Sequence, residues 1–356
     1  MNTLEERIHA FSKLGDVLRA IAGKEEKKQS EPIDSMIVEQ FRNSMDIAAA
    51  HNPWFIPHFI NKAVASISEM FHETHLRTWV HHYPEIKDKP KAKTVGAIMA
   101  GNIPLVGFHD FLCVLLSGHK FLGKLSSNDQ VLLPAVAEIL KHIAPDFADS
   151  IYFTNHKITG FDAVIATGSN NSARYFDYYF GRYPNLIRSH RNGIAVITGK
   201  ESKKELKDLA DDVFMYFGLG CRNVSKIYFP EGYNPEHVFE GFEGYRDMML
   251  QHTKYFNNYE YNKAIMLVNN EAFFDNGFVL LKPSGEIASP VSVVYFEYYK
   301  NETELQSKLT MQDNVIQCIV SNHSGGSNRV PFGHSQKPLL TDYADGIDTM
   351  KWLVDL

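Results

Sequence analysis

The chain has 356 residues, 44% of them hydrophobic, which is enough for a large core and long enough for two domains. Lysine and arginine number 36 against 42 acidic residues, so the formal charge is −6 and the pI is near 6.2. That balance excludes bulk attraction to nucleic acid or to an anionic membrane surface. Three widely spaced cysteines, Cys113, Cys221 and Cys318, form no CxxC pair, which argues against a disulfide framework or a zinc knuckle and fits a reducing, cytoplasmic setting.

The N-terminal MNTLEERIHAF is charged and lacks an apolar h-region, so no signal peptide is expected. Leu4, Ile8, Phe11, Leu14, Leu18 and Ile21 recur at three- and four-residue spacing, which predicts a first helix with one apolar face. GKEEKKQSEP is a polar connector. A second helix is predicted from about Ile33 and a third from about Pro57 to Trp79, with NPWF as the turn between them. From Lys93 the character changes. TVGAIMA, KFLGKLS, SIYFT, AVIAT and GIAVIT are short apolar runs of the kind found in buried parallel strands. Helical patterns separate them over Pro104 to Ser117, Val131 to Ile143 and Ser172 to Phe180. A second block of strands is expected at SKIYF, KAIMLV, GFVLLK, VSVVYF and VIQCIV. The alternation predicts an α/β fold with two mainly parallel sheets flanked by helices, behind a helical N-terminal segment. Runs such as FLCVLLSG are too short to span a bilayer.

Six short stretches carry the functional signal. They are GNIPL (Gly101 to Leu105), SGHKFLGKLSSND (Ser117 to Asp129), ATGSNNSARYF (Ala166 to Phe176), the cysteine stretch MYFGLGCRNVSKIYFP, GEIASPV (Gly285 to Val291) and PFGHSQ (Pro331 to Gln336). In this order they resemble the signature blocks of the aldehyde dehydrogenase superfamily, which read roughly as NFPL, LKPSE, FTGS, GQxC, EIFGP and PFGG. The short length and the NPWF-containing N-terminus are most similar to its acyl-CoA reductase branch, the LuxC-type fatty acyl reductases.

The resemblance implies an aldehyde dehydrogenase-like fold of two lobes. Residues 1–192 would hold the N-terminal helices and the dinucleotide-binding lobe, 193–323 the catalytic lobe, and 324–356 would return to the first lobe. It makes Cys221 the nucleophile towards an acyl thioester. The attack creates an oxyanion, for which it implies the Asn102 side chain and the Cys221 N–H as donors, each typically worth about 3 kcal/mol of barrier. Lys124, Ser126 and Ser127 match the positions that hold the adenosine ribose. Gly168 and Ser169 match the helix start that takes a pyrophosphate, and Glu286 matches the glutamate that holds the nicotinamide ribose. The family motif ends in a glutamate where this chain has Ser127. A carboxylate there would repel a 2′-phosphate, so its absence implies NADPH as cofactor. Hydrolytic members carry a water-activating glutamate in an ELGGK block. The corresponding LIRSHRNGIAV (Leu186 to Val196) has no carboxylate, which favours reduction over hydrolysis. The implied substrate is an acyl-CoA or another acyl thioester, with an acyl-transferring partner enzyme and a homo-oligomer as possible associations.

Each residue also has a plainer reading. Asn102 could cap the helix expected near Pro104, Cys221 could be an inert core thiol, Ser169 an N-cap, Lys124 a surface cation and Glu286 a loop acid. His190, in the LIRSHRNG run, is either a proton carrier or merely solvated. Cys113 and Cys318 lie mid-helix and mid-strand and are read as packing residues. FHETHLRTWVHH groups His72, His75, His81 and His82, but the spacing is not H-E-x-x-H and supplies no third ligand, so no metal is expected. KKELKDLADD (Lys203 to Asp212) reads as a solvated helix face. An acyl-phosphate reductase of the glutamyl phosphate reductase type, and a non-catalytic nucleotide- or partner-binding relative, are the competing functions.

Overall fold

The structure is a computed structural model that describes residues 3–23, 34–86, 91–168, 170–189, 191–322 and 328–356. It divides into two compact units, Met1–Ser189 with Leu339–Leu356, and His190–Pro338. The second unit runs to Pro338 and the first resumes at Leu339.

The first unit opens with four helices: α1 (Leu4–Ile21), α2 (Ser35–His51), α3 (Pro57–Met70) and α4 (Glu73–Val80). Thr3 and Glu6 form a capping box on α1, which satisfies two N–H groups the first turn would leave open. The predicted apolar face is buried, with Phe11 in edge-on contact with Phe71, Phe111 and Phe147. The single helix expected over Pro57 to Trp79 is two, because the chain breaks at Phe71 and His72 and restarts at Glu73.

A five-stranded parallel sheet follows. Its strands are β1 (Thr94–Ile98), β2 (Lys120–Lys124), β3 (Ile151–Thr154), β4 (Ala163–Thr167) and β5 (Asn185–Arg188), in the order β3-β2-β1-β4-β5. Three helices connect them, α5 (Phe108–Leu116), α6 (Leu132–Ile143) and α7 (Asn170–Phe180). The chain moves outward from β1 to β3 on one side and resumes at β4 on the other, which makes β1/β4 a topological switch point. The helix expected from Pro104 begins only at Phe108. Leu105 sits at φ 60°, in left-handed backbone that a helix cannot contain.

The second unit has a seven-stranded sheet in the order β12-β11-β6-β7-β10-β9-β8. In chain order its elements are β6 (Asn192–Val196), α8 (Lys203–Phe214), β7 (Val224–Pro230), the short α9 (Phe239–Phe242) and α10 (Arg246–Gln251), α11 (Thr253–Val268), β8 (Phe274–Asp275), β9 (Leu280–Pro283), β10 (Val293–Tyr299), α12 (Glu302–Met311), β11 (Ile316–Val320) and β12 (Arg329–Val330). All pairings are parallel except β8 with β9. KAIMLV, expected as a strand, is the end of α11. A short apolar run looks the same in either state, and here Ile265, Leu267 and Val268 are exposed. The chain then returns to the first unit with α13 (Thr349–Val354). Thr349 accepts a hydrogen bond from the buried Arg188, and the Leu353 carbonyl is 2.9 Å from His119 Nε2.

Candidate active site

The candidate residues fall into two groups, one in each unit. In the second unit Cys221 lies on the loop between α8 and β7. Tyr216 (φ 54°), Phe217 (φ 57°) and Gly218 (φ 74°) are consecutive left-handed residues, a conformation that costs non-glycine residues roughly 1–2 kcal/mol each. Something must hold it, and Asn223 does. Its carboxamide oxygen accepts from Gly220 N at 2.8 Å, and its Nδ2 faces the carbonyls of Asp212, Val213 and Met215 at 2.9 to 3.4 Å. Asn223 is 2% exposed. Gly193 on β6 packs against the loop so closely that a Cβ there would lie 2.5 Å from the Arg222 carbonyl oxygen. Glycine is therefore required at the start of β6.

None of the three cysteines is in a disulfide. Cys113 and Cys318 are buried and Cys221 is half-buried. Burial pushes the Cys113 thiol well up, so it is not poised as a thiolate. The Cys318 thiol donates to the Arg222 carbonyl at 3.7 Å, so it braces the backbone next to Cys221.

Asp212, read from sequence as part of a solvated face, is 1% exposed. Its carboxylate accepts from Gly333 N at 2.6 Å and Ser335 N at 2.8 Å, and so fixes the PFGHS turn against α8. Burial raises its pKa to about 6 against the lowering effect of those N–H groups. Leu206, Leu209 and Ala210 of the same helix are also buried, so KKELKDLADD is amphipathic rather than uniformly solvated. Glu286 is exposed, and its N–H donates to Ser284 Oγ.

In the first unit the loops at the carboxyl ends of β1, β2 and β4 carry Asn102, then Lys124, Ser126 and Ser127, then Gly168. These are adjacent strands, paired β2-β1-β4. A Cβ on Gly101 would strike Ser126 Oγ at 2.4 Å, so the β1 and β2 loops pack directly. Asp129 closes them together: its carboxylate accepts from Leu105 N and Leu132 N at 3.3 and 3.2 Å. The end of α2 supports the same loop, with His51 Nε2 3.2 Å from the Ser127 carbonyl oxygen and Asn52 Nδ2 donating to the Asn128 carbonyl at 3.1 Å. Lys124 is half-buried and Ser127 exposed, and no described side chain pairs with the Lys124 ammonium. Asn102 is half-buried on the turn after β1. It does not cap the helix that follows, whose N-cap is Gly107. Ser169 and His190 lie outside the described residues.

His72 faces Glu69 Oε2 at 3.4 Å, and His75 Nδ1 lies 3.1 Å from the Glu69 carbonyl oxygen. Among the described residues no group of three or more His, Cys, Asp or Glu is placed to hold a metal ion. No helix among the described residues is long and apolar enough to cross a membrane.

The donor set in the first unit suits a dinucleotide. Gly168 follows β4 and an eleven-residue helix, α7, starts two residues later, so the start of that helix lies just past the carboxyl end of the strand. An ammonium, hydroxyls and helix-start amides are groups that phosphate and ribose oxygens seek. The one carboxylate of the β2 loop, Asp129, is spent on backbone N–H groups.

Comparison with known proteins bears on both units. No curated protein matches the sequence. Among solved structures, aldehyde dehydrogenase 21 from Physcomitrella patens, in complex with the reaction product succinate, is 12% identical, with a TM-score of 0.65 over 99% of this chain and 87% of that one. An oxidoreductase from Marinobacter aquaeolei is 12% identical, with a TM-score of 0.64 over 94% of this chain and 79% of that one. An aldehyde dehydrogenase from Mycobacterium tuberculosis complexed with NAD+ is 13% identical, with a TM-score of 0.60 over 88% and 74%. These likenesses show an aldehyde dehydrogenase-like fold. The family profile described as acyl-CoA reductase (LuxC) matches residues 27–240. Because that profile spans more than half of the chain, the protein belongs to the acyl-CoA reductase (LuxC) family, whose chemistry is aldehyde-related oxidoreduction.

Proposed function

We propose that the protein reduces an acyl-CoA thioester to an aldehyde with NADPH, through an acyl-cysteine at Cys221. The observation that carries this reading is the cysteine loop itself: a half-buried thiol on a left-handed turn held by Asn223, in a chain of this family. In the proposed cycle the Cys221 thiolate attacks the thioester carbon. A C–S bond forms to the enzyme, the bond to the CoA sulfur breaks, and CoA leaves as a thiolate that takes a proton. The Cys221 N–H and the Asn102 carboxamide are the assigned oxyanion donors. NADPH, when bound, supplies the hydride that reduces the acyl carbon to the aldehyde level. Collapse of the resulting thiohemiacetal then breaks the C–S bond, releases the aldehyde and restores the Cys221 thiolate.

Lys124, Ser126, Ser127, Gly168 and Ser169 are the proposed contacts to the adenosine half and the pyrophosphate, and Glu286 the contact to the nicotinamide ribose. The preference for NADPH is supported by Ser127 in place of an acid and by the inward use of Asp129. Intact-mass analysis after incubation with a panel of acyl-CoAs tests the covalent step. A single acyl addition is expected, and it is expected to disappear in Cys221→Ala together with aldehyde formation. An acyl adduct on the variant, or acylation by acyl phosphate but not by acyl-CoA, would overturn the assignment.

A further inference from the structure

The strand that leads out of the cysteine loop also grips the segment bearing Glu286. Ser225 on β7 donates to the Ile287 carbonyl at 2.8 Å. Lys226, the next residue, donates to the Gly285 carbonyl at 2.9 Å and to Glu297 at 2.7 Å. Tyr228, two residues further, donates to Gln312 at 2.7 Å, and Gln312 Nε2 donates in turn to the same Gly285 carbonyl at 3.1 Å. Alternate residues of a strand face opposite sides, so Lys226 and Tyr228 reach Gly285 from one face while Ser225 reaches Ile287 from the other. The chain is thus held by β7 at the residue before Glu286 and at the residue after it, and β7 begins three residues after Cys221.

Lys226 is an expensive way to hold a loop. Its side chain is 0% exposed. Burial depresses its pKa, and the Glu297 carboxylate opposes that shift. A buried ion pair is often no more stabilising than apolar residues of the same volume, so stability alone does not call for a lysine here. A methionine or leucine would fill the strand position but could not donate to Gly285.

We infer that Lys226 is a positioning residue for the cofactor step: through the Gly285 carbonyl it sets the place of Glu286, and hence the hold on the nicotinamide ribose. The inference rests on the role proposed above for Glu286. Lys226 is not placed in contact with the acyl group, so acylation of Cys221 does not depend on it.

Lys226→Met in the full chain tests this. Glu297 keeps Lys308 as a partner at 2.7 Å, so the substitution does not strand a buried carboxylate. Two quantities are read: the dissociation constant of NADPH by nicotinamide fluorescence, with NADH in parallel, and the rate of Cys221 acylation by intact mass in the absence of either. We expect the dissociation constant to rise about tenfold and acylation to stay within about twofold of the parent. Glu286→Gln should weaken binding to a similar degree, and the double variant should bind no more weakly than Glu286→Gln alone, since both act through one contact. Additive losses, unchanged binding in Lys226→Met, or acylation slowed as much as binding is weakened would each overturn the inference while leaving the role of Glu286 standing. Unchanged binding in Glu286→Gln would remove that role and the inference with it. If Lys226→Met does not fold, Gln312→Leu decides, because it removes the second donor to Gly285 without touching a buried charge. It should weaken NADPH binding by about threefold, and no change would overturn the inference.

Discussion

The cysteine loop of the second unit and the β2 loop of the first both leave or enter parallel strands, yet they are built differently. The cysteine loop is over-determined. One buried asparagine satisfies four backbone groups, a glycine lets β6 pack against it, and Cys318 bonds the neighbouring carbonyl. The β2 loop is held from outside, by the end of α2 and by Asp129, and it leaves Ser127 exposed and Lys124 without a described partner. A nucleophile must be kept in one geometry relative to its oxyanion donors, because small misplacements cost large factors in rate. A loop that binds a cofactor through charge and hydroxyls tolerates more play. The difference therefore matches the roles proposed for the two loops, and each part of it can be tested.

The largest expected effect concerns a group that the β5–β6 stretch lacks. A positioned general base is typically worth about 10² to 10⁴ in rate, and Leu186 to Val196 carries no carboxylate. Arg188 in this run is buried and paired with Asp110, and Arg191 reaches the Ile316 carbonyl at 3.4 Å. Enzyme loaded with acyl-CoA and freed of excess should keep its acyl mass at least about a hundredfold longer than one turnover with NADPH. Loss of the acyl mass on the timescale of turnover would reveal another water-activating group and a hydrolytic enzyme.

The contrast in rigidity predicts unequal costs for two similar substitutions. Asn223→Ala leaves several buried carbonyls and one N–H without a partner, at about 1–3 kcal/mol for each group that water cannot reach, so a total loss of about 3 kcal/mol or more is expected in urea unfolding. Asn52→Ala removes one donor to Asn128 and one acceptor for Trp54 N in a less enclosed place, and about 1 kcal/mol is expected. Equal costs would mean that the two loops are not held differently.

Much of this was legible in the chain and some of it could not be. The block order pointed to the fold and placed Cys221 between a helix and a strand, because glycines, apolar runs and turn residues are local signals. The start of α5 was missed because Leu105 adopts a left-handed conformation that its side chain does not announce. KAIMLV was misread because a six-residue apolar run has no decisive period. Asp212 is invisible as a buried group because a charge in a polar pattern reads as solvated, and Lys226 because its partners Gly285 and Glu297 are distant in sequence and only the folded chain shows them. Asn223 carries no signal in the sequence for the same reason, since its side-chain bonds depend on the shape of the loop.

Asp212 gives the turn packed against α8 a pH dependence, and burial shifts Asp129 of the β2 loop upward in the same direction. Its folded pKa of about 6 lies above the unfolded value near 3.9. Between these values the folded state binds more protons than the unfolded one, so stability from this group falls as pH rises from about 4 to 6 and is level above that. The difference in unfolding free energy between the parent and Asp212→Asn should therefore shift by about 2 kcal/mol between pH 4.5 and 7, with the parent losing ground as pH rises. Other titrating groups cancel in that difference. A shift of the opposite sign would mean that the N–H groups of Gly333 and Ser335 outweigh burial.

The smallest expected effect tests the openness of the β2 loop. Ser127 is exposed, and the nearest acid in sequence, Asp129, is turned inward to Leu105 and Leu132. Ser127→Glu would place a carboxylate at the position where the resemblance puts the adenosine ribose. Opposed to a 2′-phosphate across an exposed, screened gap, one added charge is worth on the order of 1 kcal/mol. NADPH binding should weaken by about tenfold, while NADH, which has a hydroxyl in place of the phosphate, should bind as well or better. The fold should not notice, because the Ser127 side chain is exposed and only its carbonyl is used, by His51. High salt should narrow the gap between the two cofactors, since screening acts on the phosphate and not on the hydroxyl. An unchanged ratio of the two dissociation constants at low salt would mean that residue 127 does not face the ribose, and the preference for NADPH would lose its basis in this loop.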